Sequence, residues 1–402
     1  MQVTQYKREL GECPMTNKFD IIIVGGGIMA SSLAYNLYND GYTGRIAMFE
    51  KDRVYEYSST PRSEGGIRQT FSTEVNVKMS QYSYQAYKTF EEDMSVDGEP
   101  VSIDFRENGY LYLLNDVSLP IFEDILKIQE SLNVKTEFMD VDQLEEFFPE
   151  LNVEDLAGAV FDPEAGNADP YSVLQAYVKK LKKIGTDIFY EEVETIITEQ
   201  GSVTGVQTVS GEKYFAPIVV NAAGPWSGEL SEKIGLPIPV KPLRRQLFSI
   251  DTAQKFDREI PFTFDPTGAH FRGEREKIVV GWANDVPFGY DFKLEKRFFE
   301  EEIWPILAMR SSYFESLKLE SGWTGLYDYN YEDHNAIISD HPEMKGYYIV
   351  TGFSGHGFQH APAAGKGLSE LIRLGRFETM DISPLSVTRF KTGKLVRETA
   401  VY

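Results

Sequence analysis

The stretch FDIIIVGGGIMASSLAYNL, residues 19–37, places three consecutive glycines between an apolar run and a segment of small and apolar residues. Residues 20–24 are mostly β-branched, which is typical of a strand buried in a parallel sheet, and the segment after the glycines has the spacing of a helix packed on that sheet. Gly25 permits the tight turn, Gly27 lets a pyrophosphate approach the helix N-terminus, and Ala30 replaces the third glycine of a dinucleotide-binding turn. The stretch therefore predicts a strand, turn and helix that bind a dinucleotide.

The next apolar run ends in an acidic residue. RIAMFEKD, residues 45–52, is apolar over residues 46–49 and then places Glu50 where a carboxylate takes the ribose hydroxyls of an adenosine. A carboxylate there disfavours a 2′-phosphate, so the pattern indicates FAD or NAD and not NADP. A glycine-rich turn also closes ordinary βα units, and a lone Glu50 is an ordinary strand end. The order of strand, turn, helix and acid carries the prediction.

Length and charge bound the kind of protein. The chain has 402 residues, of which 42% are hydrophobic, and no apolar run approaches the length of a membrane span, so we expect a soluble globular protein of two or three domains. The formal net charge is −22. Such a surface repels nucleic acid unless a basic patch intervenes, and the sequence has no such patch, so nucleic acid is not an expected partner.

Cysteine and histidine usage excludes several kinds of site. The single cysteine, Cys13, rules out a disulfide framework, a cysteine metal cluster and a CxxC pair, and it suits a cytoplasmic location, which we expect. Residues 1–18 lack the apolar core of a secretory signal, and Met15 is an alternative start. The five histidines show no metal-ligand spacing, so we expect no metal.

Helical and strand patterns alternate along the chain. Residues 103–114 alternate in polarity like a strand of a half-exposed antiparallel sheet, and residues 169–185 form an amphipathic helical pattern. The buried strand pattern of residues 216–224 ends in small residues, where the backbone comes close to a ligand. After residue 239 the strand patterns are longer and antiparallel in texture. Residues 345–372 predict another strand, glycine-rich turn and helix.

Four motifs in a fixed order carry a family resemblance. They are GGGIMA with Glu50, SEGGIRQTFS (63–72), VVNAAGPWS (219–227) and GFSGHGFQHAPAAG (352–365). Together they resemble the D-amino-acid oxidase family of FAD enzymes. The most similar branch holds monomeric sarcosine oxidase, dimethylglycine dehydrogenase, the β subunits of proline dehydrogenases and the FAD-dependent oxidoreductase domain-containing proteins. The resemblance spans nearly the whole chain.

The resemblance implies an α/β (α+β) fold with two interleaved domains. A discontinuous Rossmann-like FAD-binding domain is expected beside a substrate domain built on a mixed, mainly antiparallel sheet. The expected segments are 17–92, 160–235 and 325–385 for the FAD-binding domain, 93–159 and 236–324 for the substrate domain, and 386–402 for a C-terminal tail.

The resemblance also implies which residues hold FAD. The isoalloxazine ring needs donors near its N1 and O2 edge, where negative charge collects on reduction, and the amides of residues 355–358 are placed to supply them. The alternative for this segment is a glycine-rich surface loop. Val193 resembles the position whose backbone meets the adenine, and Trp226 is either a cofactor contact or a packed core aromatic. The implied FAD-binding residues are Gly25, Gly27, Ile28, Met29, Glu50, Lys51, Arg62, Ser63, Gly66, Ile67, Val193, Ala222, Gly224, Trp226, Gly352, Ser354, Gly355, His356, Gly357, Phe358 and Gln359.

Two positions indicate that the FAD is not covalently attached. The sarcosine oxidases attach their flavin to a cysteine two residues before an active-site tyrosine, and that place is Gly325 here. The dimethylglycine dehydrogenases use a histidine in the arginine loop, where this chain has Arg62. Since neither residue is a suitable nucleophile, the resemblance predicts non-covalent binding.

The catalytic residues implied by the resemblance are Arg68, Tyr327, Gln359, His270 and Arg272. Arg68 would stabilise negative charge on the reduced ring, unless it is a surface arginine. Gln359 stands where the sarcosine oxidases have a carboxylate-binding lysine, which argues against a simple N-methylglycine substrate. Tyr327 is a pocket residue or a core aromatic. His270 and Arg272 lie on a strand that faces the flavin in this family. They either bind substrate or are strand residues without a role in binding.

These features predict an FAD-dependent oxidoreductase that oxidises the C–N bond of a secondary or tertiary amine, an N-alkyl or cyclic amino acid, by hydride transfer to flavin N5. The lysine that activates oxygen in the oxidases falls at Val279, so we expect slow reaction with oxygen and electron transfer to a quinone, an electron-transfer protein or a partner subunit. The oligomeric state is left open. The alternatives are a 2-hydroxy acid or glycerol-phosphate oxidoreductase, for which pocket cations are few, and a non-catalytic flavin-containing assembly factor.

Overall fold

The structure, a computed structural model, describes residues 17–399, so that Cys13 and Met15 lie outside the described residues. The strands are β1 (Ile21–Val24), β2 (Ile46–Phe49), β3 (Gly66–Ile67), β4 (Tyr110–Leu114), β5 (Glu137–Met139), β6 (Gly158–Asp162), β7 (Gly166–Asn167), β8 (Asp187–Phe189), β9 (Val193–Glu199), β10 (Ser202–Thr208), β11 (Lys213–Phe215), β12 (Ile218–Asn221), β13 (Val240–Thr252), β14 (Phe262–Phe264), β15 (His270–Glu274), β16 (Lys277–Gly281), β17 (Leu317–Asn330), β18 (Ile337–His341) and β19 (Met344–Thr351).

Helices cover the strands and connect them. They are α1 (Ile28–Asn39), α2 (Glu74–Asp93), α3 (Leu119–Ser131), α4 (Val141–Phe147), α5 (Pro170–Ile184), α6 (Ser227–Glu232), α7 (Lys296–Phe298), α8 (Trp304–Arg310), α9 (Gly357–Leu374) and α10 (Thr388–Thr392). In α5, the Asp169 carboxylate accepts hydrogen bonds from the backbone N–H groups of Tyr171 and Ser172, and Gly185 ends the helix in a left-handed conformation. Within residues 17–399, no helix is both long enough and apolar enough to cross a membrane.

The first large sheet is built around parallel strands. Its order is β11-β10-β19-β12-β1-β2-β8, with β18 beside β19 and β9 beside β10. Strand β1 pairs in parallel with β2 and β12, and all four of its residues are buried. Helices α1 and α9 pack closely against each other, because Gly365 has no side chain to meet Ser32. The strand, turn and helix predicted from residues 19–37 are confirmed.

The second large sheet is mainly antiparallel. Its order is β17-β13-β16-β15-β14-β4-β6-β5, and only the pairing of β14 with β4 is parallel. The mixed fold class predicted from the sequence is therefore confirmed. The domain boundaries stay predictions, and two of them fall inside strands: β6 and β17 both continue across an expected boundary.

The prediction of a half-exposed strand over residues 103–114 is wrong. The strand in this segment, β4, begins only at Tyr110, and all five of its residues are buried. Leu111 and Leu113 pack in the core on one face of the sheet. Tyr110 and Tyr112 pack among aromatic residues on the other face. Both faces of β4 are covered, so the alternation of residue types does not mark an exposed side.

The C-terminal segment is anchored to the half of the molecule that contains the parallel strands. Glu398 is fully buried, and its carboxylate accepts hydrogen bonds from Ser72, Thr73 and Asn76 at the start of α2. Arg389 donates to Asp333 in a buried ion pair at 2.7 Å. These contacts fix the loop that leads from the SEGGIRQ motif into α2.

Candidate active site

One continuous cavity is lined by residues from both sheets. The loops that follow β1, β2 and β12 contribute to it, as do strands of the antiparallel sheet and the first turn of α9. In an open α/β sheet, ligands bind outside the carboxyl ends of the parallel strands. The position of the cavity is therefore that of a nucleotide site that continues into a second, differently built compartment.

The glycine turn and Glu50 fold as one unit. Gly25 has φ +109°, and a Cβ at this position would overlap the Ala222 carbonyl oxygen, so only glycine fits. The Glu50 carboxylate accepts hydrogen bonds from the backbone N–H groups of Gly26 at 2.8 Å and Asp52 at 2.9 Å. Burial raises the pKa of Glu50. Each carboxylate oxygen keeps a free lone pair that can accept a ribose hydroxyl.

The N-terminus of α1 opens into the cavity. Gly27 precedes the helix and has no side chain to cap it, and the space beside it is open, with a Cβ reaching only to 3.7 Å from Thr60 Oγ1. The Ile28 N–H donates to Thr60 Oγ1 at 3.3 Å, and the N–H groups of the turn remain near the cavity. Backbone N–H groups at a helix N-terminus and the helix dipole attract anions. Gly25, Gly27, Ile28 and Met29, which the resemblance assigns to FAD binding, all line the cavity.

A second group of predicted residues lies around Trp226. The Lys51 ammonium is 3.5 Å from the Trp226 ring centroid, and the Tyr290 ring stacks on the indole at 5.4 Å. Burial lowers the pKa of Lys51. Val193, Ala222 and Gly224 line the cavity in the same region as Trp226.

The loop after β19 presents a second helix N-terminus to the cavity. The Asp328 carboxylate accepts hydrogen bonds from the backbone N–H groups of Gly352 at 2.7 Å and Phe353 at 3.2 Å, and burial raises the pKa of Asp328 to about 6. Ser354 and Gly355 both have positive φ, and a Cβ on Gly355 would lie 2.5 Å from the Tyr327 ring. Because of this tight turn, the N-terminus of the 18-residue helix α9 points toward the cavity.

Most of the glycine-rich loop faces the cavity. Ser354, Gly355, His356, Gly357, Phe358 and Gln359 all line it. His356 is buried, and its two ring nitrogens have no hydrogen-bond partner among the described residues. Burial lowers the pKa of His356 to about 3, so the imidazole is neutral at physiological pH. Buried polar atoms of this kind, facing a cavity, are suited to a bound polar group.

Arg68 and Gln359 meet directly. The backbone N–H of Arg68 donates to Gln359 Oε1 at 3.0 Å. The Arg68 guanidinium donates to the Thr70 carbonyl oxygen and lies 4.0 Å from the Phe71 ring centroid. Arg68 is only 5% exposed, so it is not a surface arginine. Both residues line the cavity, with the Gln359 side chain available to donate from its amide nitrogen.

Arg62 and Gly325, the two positions that bear on the prediction of non-covalent binding, lie side by side. A Cβ on Gly325 would lie 3.2 Å from Arg62 Cβ. Arg62 donates to the Thr324 carbonyl oxygen at 2.6 Å, and its own carbonyl oxygen accepts from Trp323 Nε1 at 3.0 Å. The neighbouring Ser63 and Gly66 line the cavity as well.

The part of the cavity on the side of the antiparallel sheet is lined by aromatic rings, and we call it the aromatic compartment. Tyr110, Phe262 and Phe264 stack in sequence, with ring centroids 4.5 Å and 5.1 Å apart, and His270 lies 5.0 Å from Phe264. Tyr327 is half-buried and lines the same cavity. A wall of this kind excludes water and shapes the space beside a bound ring.

Three predicted residues do not line the cavity. Ile67 packs in a hydrophobic cluster, Gly352 is held by Asp328 behind the loop, and Arg272 donates to Glu274 and to the Gly273 carbonyl oxygen. Arg272 also differs from its strand neighbour His270, which does line the cavity.

Several residues that line the cavity were not predicted from the sequence. Glu64 lies in the same motif, SEGGIRQTFS, as Arg68. That proximity in the sequence could have indicated that Glu64 lines the cavity, but the motif does not show that its carboxylate is buried. Arg245 faces the cavity with its guanidinium 5.2 Å from the Tyr327 ring centroid, and its Nε has no hydrogen-bond partner among the described residues. The preceding Arg244 is instead held by Asp291 and Glu295. The stacked residues Tyr110, Phe262 and Phe264 were also missed, because their common face arises from pairing between distant strands.

The residues present fit FAD. Two helix N-termini whose N-cap residues make no side-chain hydrogen bond, the buried carboxylate of Glu50 and the open space at Gly27 suit its phosphates, its ribose and the edge of its ring. The unpartnered nitrogens of His356 add polar groups to the same cavity. Among residues 17–399, no cluster of three or more histidine, cysteine or acidic side chains is placed to hold a metal ion.

Comparisons with known proteins agree with this fit. Residues 20–371 match the DAO family, described as FAD dependent oxidoreductase. The chain is 34% identical to the FAD-dependent oxidoreductase domain-containing protein 1 of Bos taurus, covering 94% of this chain and 86% of that protein. It is 26% identical to human mitochondrial dimethylglycine dehydrogenase, covering 92% of this chain and 45% of that enzyme.

Solved structures give the same result. L-proline dehydrogenase from P. horikoshii is similar with a TM-score of 0.85 and 28% identity, covering 95% of this chain and all of that one. Glycine oxidase from Geobacillus kaustophilus shares the fold, with a TM-score of 0.82 at 20% identity over 93% of this chain and 99% of that one. With a family match over most of its length and a site that fits the cofactor, the chain belongs to the DAO family of FAD-dependent oxidoreductases.

Proposed function

We propose that this protein oxidises the C–N bond of a secondary or tertiary amine, an N-alkyl or cyclic amino acid, with FAD held by non-covalent contacts. When bound, FAD accepts the hydride from the carbon next to nitrogen. Support comes from relatives named for such compounds: L-proline dehydrogenase, dimethylglycine dehydrogenase and the sarcosine oxidase β subunit. Proline, dimethylglycine and sarcosine are all amino acids with an alkylated nitrogen.

The observation that carries the proposal is the presence of both charge signs in the aromatic compartment. Glu64 contributes a carboxylate, and Arg245 and Gln359 contribute donors. An amino acid carries a cationic nitrogen and an anionic carboxylate, so it matches this arrangement. A phosphate ester or a hydroxy acid carries only negative charge and would be repelled by Glu64. Arg244 and Arg272 are paired with acidic residues outside the cavity, so they do not neutralise a phosphate there.

The roles of the residues follow from this match. Arg245 and the Gln359 amide bind the substrate carboxylate, and the stacked wall of Tyr110, Phe262 and Phe264 holds the apolar part of the substrate and excludes water. Arg68, which is always protonated, places positive charge beside the cavity. Holding the reacting carbon in one orientation is the main contribution that such a site makes to the rate.

The electron acceptor is proposed to be something other than oxygen. Val279, where the oxidases carry their lysine, is buried and does not line the cavity. The lysines that do line the cavity, Lys51 and Lys233, belong to the region around Trp226 and not to the aromatic compartment. Reduced protein should therefore be reoxidised faster by an artificial acceptor such as dichlorophenolindophenol than by air.

The test is a screen of flavin reduction under nitrogen. The yellow protein is mixed with L-proline, N-methyl-L-proline, sarcosine, dimethylglycine, lactate and glycerol 3-phosphate. We expect bleaching by at least one of the amines and by neither of the last two. The rate should rise with pH until the bound amine has lost its proton, because the nitrogen lone pair must stabilise the developing positive charge. Bleaching by lactate or glycerol 3-phosphate alone would move the protein to another substrate class, and no bleaching at all would favour a non-catalytic role.

A further inference from the structure

Glu64 and His270 face each other inside the aromatic compartment. Glu64 Oε2 lies 3.0 Å from His270 Nε2, and their side chains are 16% and 8% exposed. The two groups are close but poorly aligned. Glu64 Oε1 and His270 Nε2 have no hydrogen-bond partner among residues 17–399. Two buried polar atoms that lack a partner in a cavity mark the place where a ligand supplies the missing donor.

The imidazole is oriented to accept a proton at Nε2. Its Nδ1 lies 3.3 Å from the Gly268 carbonyl oxygen. A carbonyl oxygen only accepts hydrogen bonds, so this contact assigns the proton of the neutral ring to Nδ1. The lone pair on Nε2 then points toward the cavity and Glu64.

The side chains that surround Glu64 and His270 cannot accept a proton in their place. The charged or titratable residues around the pair are Arg68 directly after β3, Tyr110 on β4, Arg245 on β13, Arg272 on β15, Tyr327 on β17 and His356 before α9. Arginine does not deprotonate in proteins. Burial raises the pKa values of Tyr110 and Tyr327, and lowers that of His356, so none of the three carries a charge near neutral pH. Since none of these neighbours accepts a proton near neutral pH, Glu64 and His270 are the groups in this part of the cavity that can do so.

We propose that Glu64 and His270 form the proton acceptor for the substrate ammonium group, so that the protein binds its amine as the cation and deprotonates it in the cavity. The N–H bond of the ammonium breaks, and its electron pair stays on nitrogen. The proton bonds to the Nε2 lone pair of His270, and the Glu64 carboxylate stabilises the imidazolium that forms. No electron leaves or enters in this step. The inference rests on the proposed function, because it supplies the neutral amine which that reaction needs.

The first test follows the rate of flavin reduction against pH, with the amine that bleaches fastest in the screen. His270→Gln should move the rise of the rate at least about one pH unit higher, because the amine must then lose its proton to water. Glu64→Gln should lower the rate near neutral pH, because the imidazolium then lacks the carboxylate that stabilises it. At pH 7 both variants should be at least about tenfold slower than the wild type, and near pH 10 all should agree to within about threefold. Glu320→Gln, on β17 and outside the cavity, is the matched control and should follow the wild type.

The second test measures binding without turnover. Two probes perturb the absorption of the oxidised flavin when they bind: L-proline betaine, whose nitrogen is permanently positive, and tetrahydro-2-furoate, in which an ether oxygen replaces the nitrogen. Glu64→Gln should weaken binding of the betaine and strengthen binding of the furoate, each by about threefold or more, since it removes a negative charge from the cavity.

The outcomes separate this inference from the proposed function. If an amine bleaches the flavin but both variants lower the rate equally at every pH, the pair is structural and the inference is wrong while the function stands. Equal loss of both probes in Glu64→Gln, or binding of neither probe to the wild type, also contradicts it. If no amine bleaches the flavin, the proposed function fails, and the opposite shifts of the two probes still decide whether Glu64 recognises a cation.

Discussion

Glu50 joins the fold to the cofactor site at the level of a single residue. Its carboxylate holds the glycine turn through Gly26 and the following loop through Asp52, and the residue is buried, with 8% of its surface exposed. A preformed and desolvated carboxylate makes stronger hydrogen bonds to a ribose than one exposed to water. The sequence predicted this residue, because a strand end followed by an acid is a local pattern.

Replacing Glu50 should weaken FAD binding. Glu50→Ala removes the ribose contact and two hydrogen bonds that hold the turn, so we expect a loss of about 1–3 kcal/mol in FAD affinity. Titration of the apoprotein with FAD measures it. Glu199→Ala, at the exposed end of β9, serves as the control and should bind FAD like the wild type. Unchanged affinity in Glu50→Ala would place the adenosine elsewhere.

Arg62 and Gly325 predict how the flavin is held. Their backbones lie together at one edge of the cavity, and neither offers a thiol or an imidazole for attachment. Acid precipitation of the yellow protein should therefore leave a colourless pellet and a yellow supernatant. Flavin that remains in the pellet would show that another residue attaches it.

At the scale of helices and strands, the sequence predicted those features that depend on residues close together in the chain. The helix that Asp169 caps, within residues 169–185, and the glycine-rich turn before α9 depend on residues a few positions apart, and both elements were predicted. The burial of both faces of β4 depends on strands and helices far along the chain, and it was not. Glu64 belongs to the second kind, because only the meeting of its loop with β15 gives it His270 as a neighbour.

The turn before α9 should depend on glycine at residue 355. Gly355→Ala introduces backbone strain at φ +101° and a clash with the Tyr327 ring, so it should lower both stability and FAD affinity. Gly375→Ala is a matched control, since Gly375 has φ +70° but open space around it. It should cost about 1 kcal/mol in the free energy of unfolding and leave FAD binding unchanged. Equal effects of the two variants on FAD affinity would contradict the role of this turn.

Asp328 makes the same turn sensitive to pH. Burial raises its pKa from 3.8 to about 6, so the folded protein binds this proton more tightly than the unfolded chain does. The wild type should therefore lose free energy of unfolding as the pH rises from about 4 to about 6, by about 3 kcal/mol for a shift of this size. Asp328→Asn cannot titrate there, so its stability relative to the wild type should increase over that window.

Urea unfolding of FAD-saturated protein at pH 4.5 and pH 7 measures the difference. Asp251→Asn is the control, because ion pairing with Lys255 and Lys277 lowers the pKa of Asp251 to about 2, below the window. Its difference from the wild type should stay constant between the two pH values. A constant difference for Asp328→Asn as well would mean that its carboxyl titrates normally.

The whole molecule places a nucleotide site and an aromatic compartment in one cavity between two sheets. The order of the motifs along the chain predicted the two-sheet fold and the cofactor, since each motif is a local signal and their order is specific. The composition of the compartment was only partly predicted. Arg245, Glu64 and the stacked aromatic residues come from β13, the loop before β3, β4 and β14, and no local pattern brings them together.

The central claim, that this cavity oxidises an amine, is tested most directly by the product of one turnover. Protein with bound FAD is mixed under nitrogen with one equivalent of the most reactive amine, and the products are identified by mass spectrometry. Each equivalent of flavin bleached should yield one equivalent of the imine, or of the carbonyl compound and amine formed from it by hydrolysis. A flavin that is reduced only by a hydroxy acid, with formation of the keto acid while every amine is recovered unchanged, would contradict the claim.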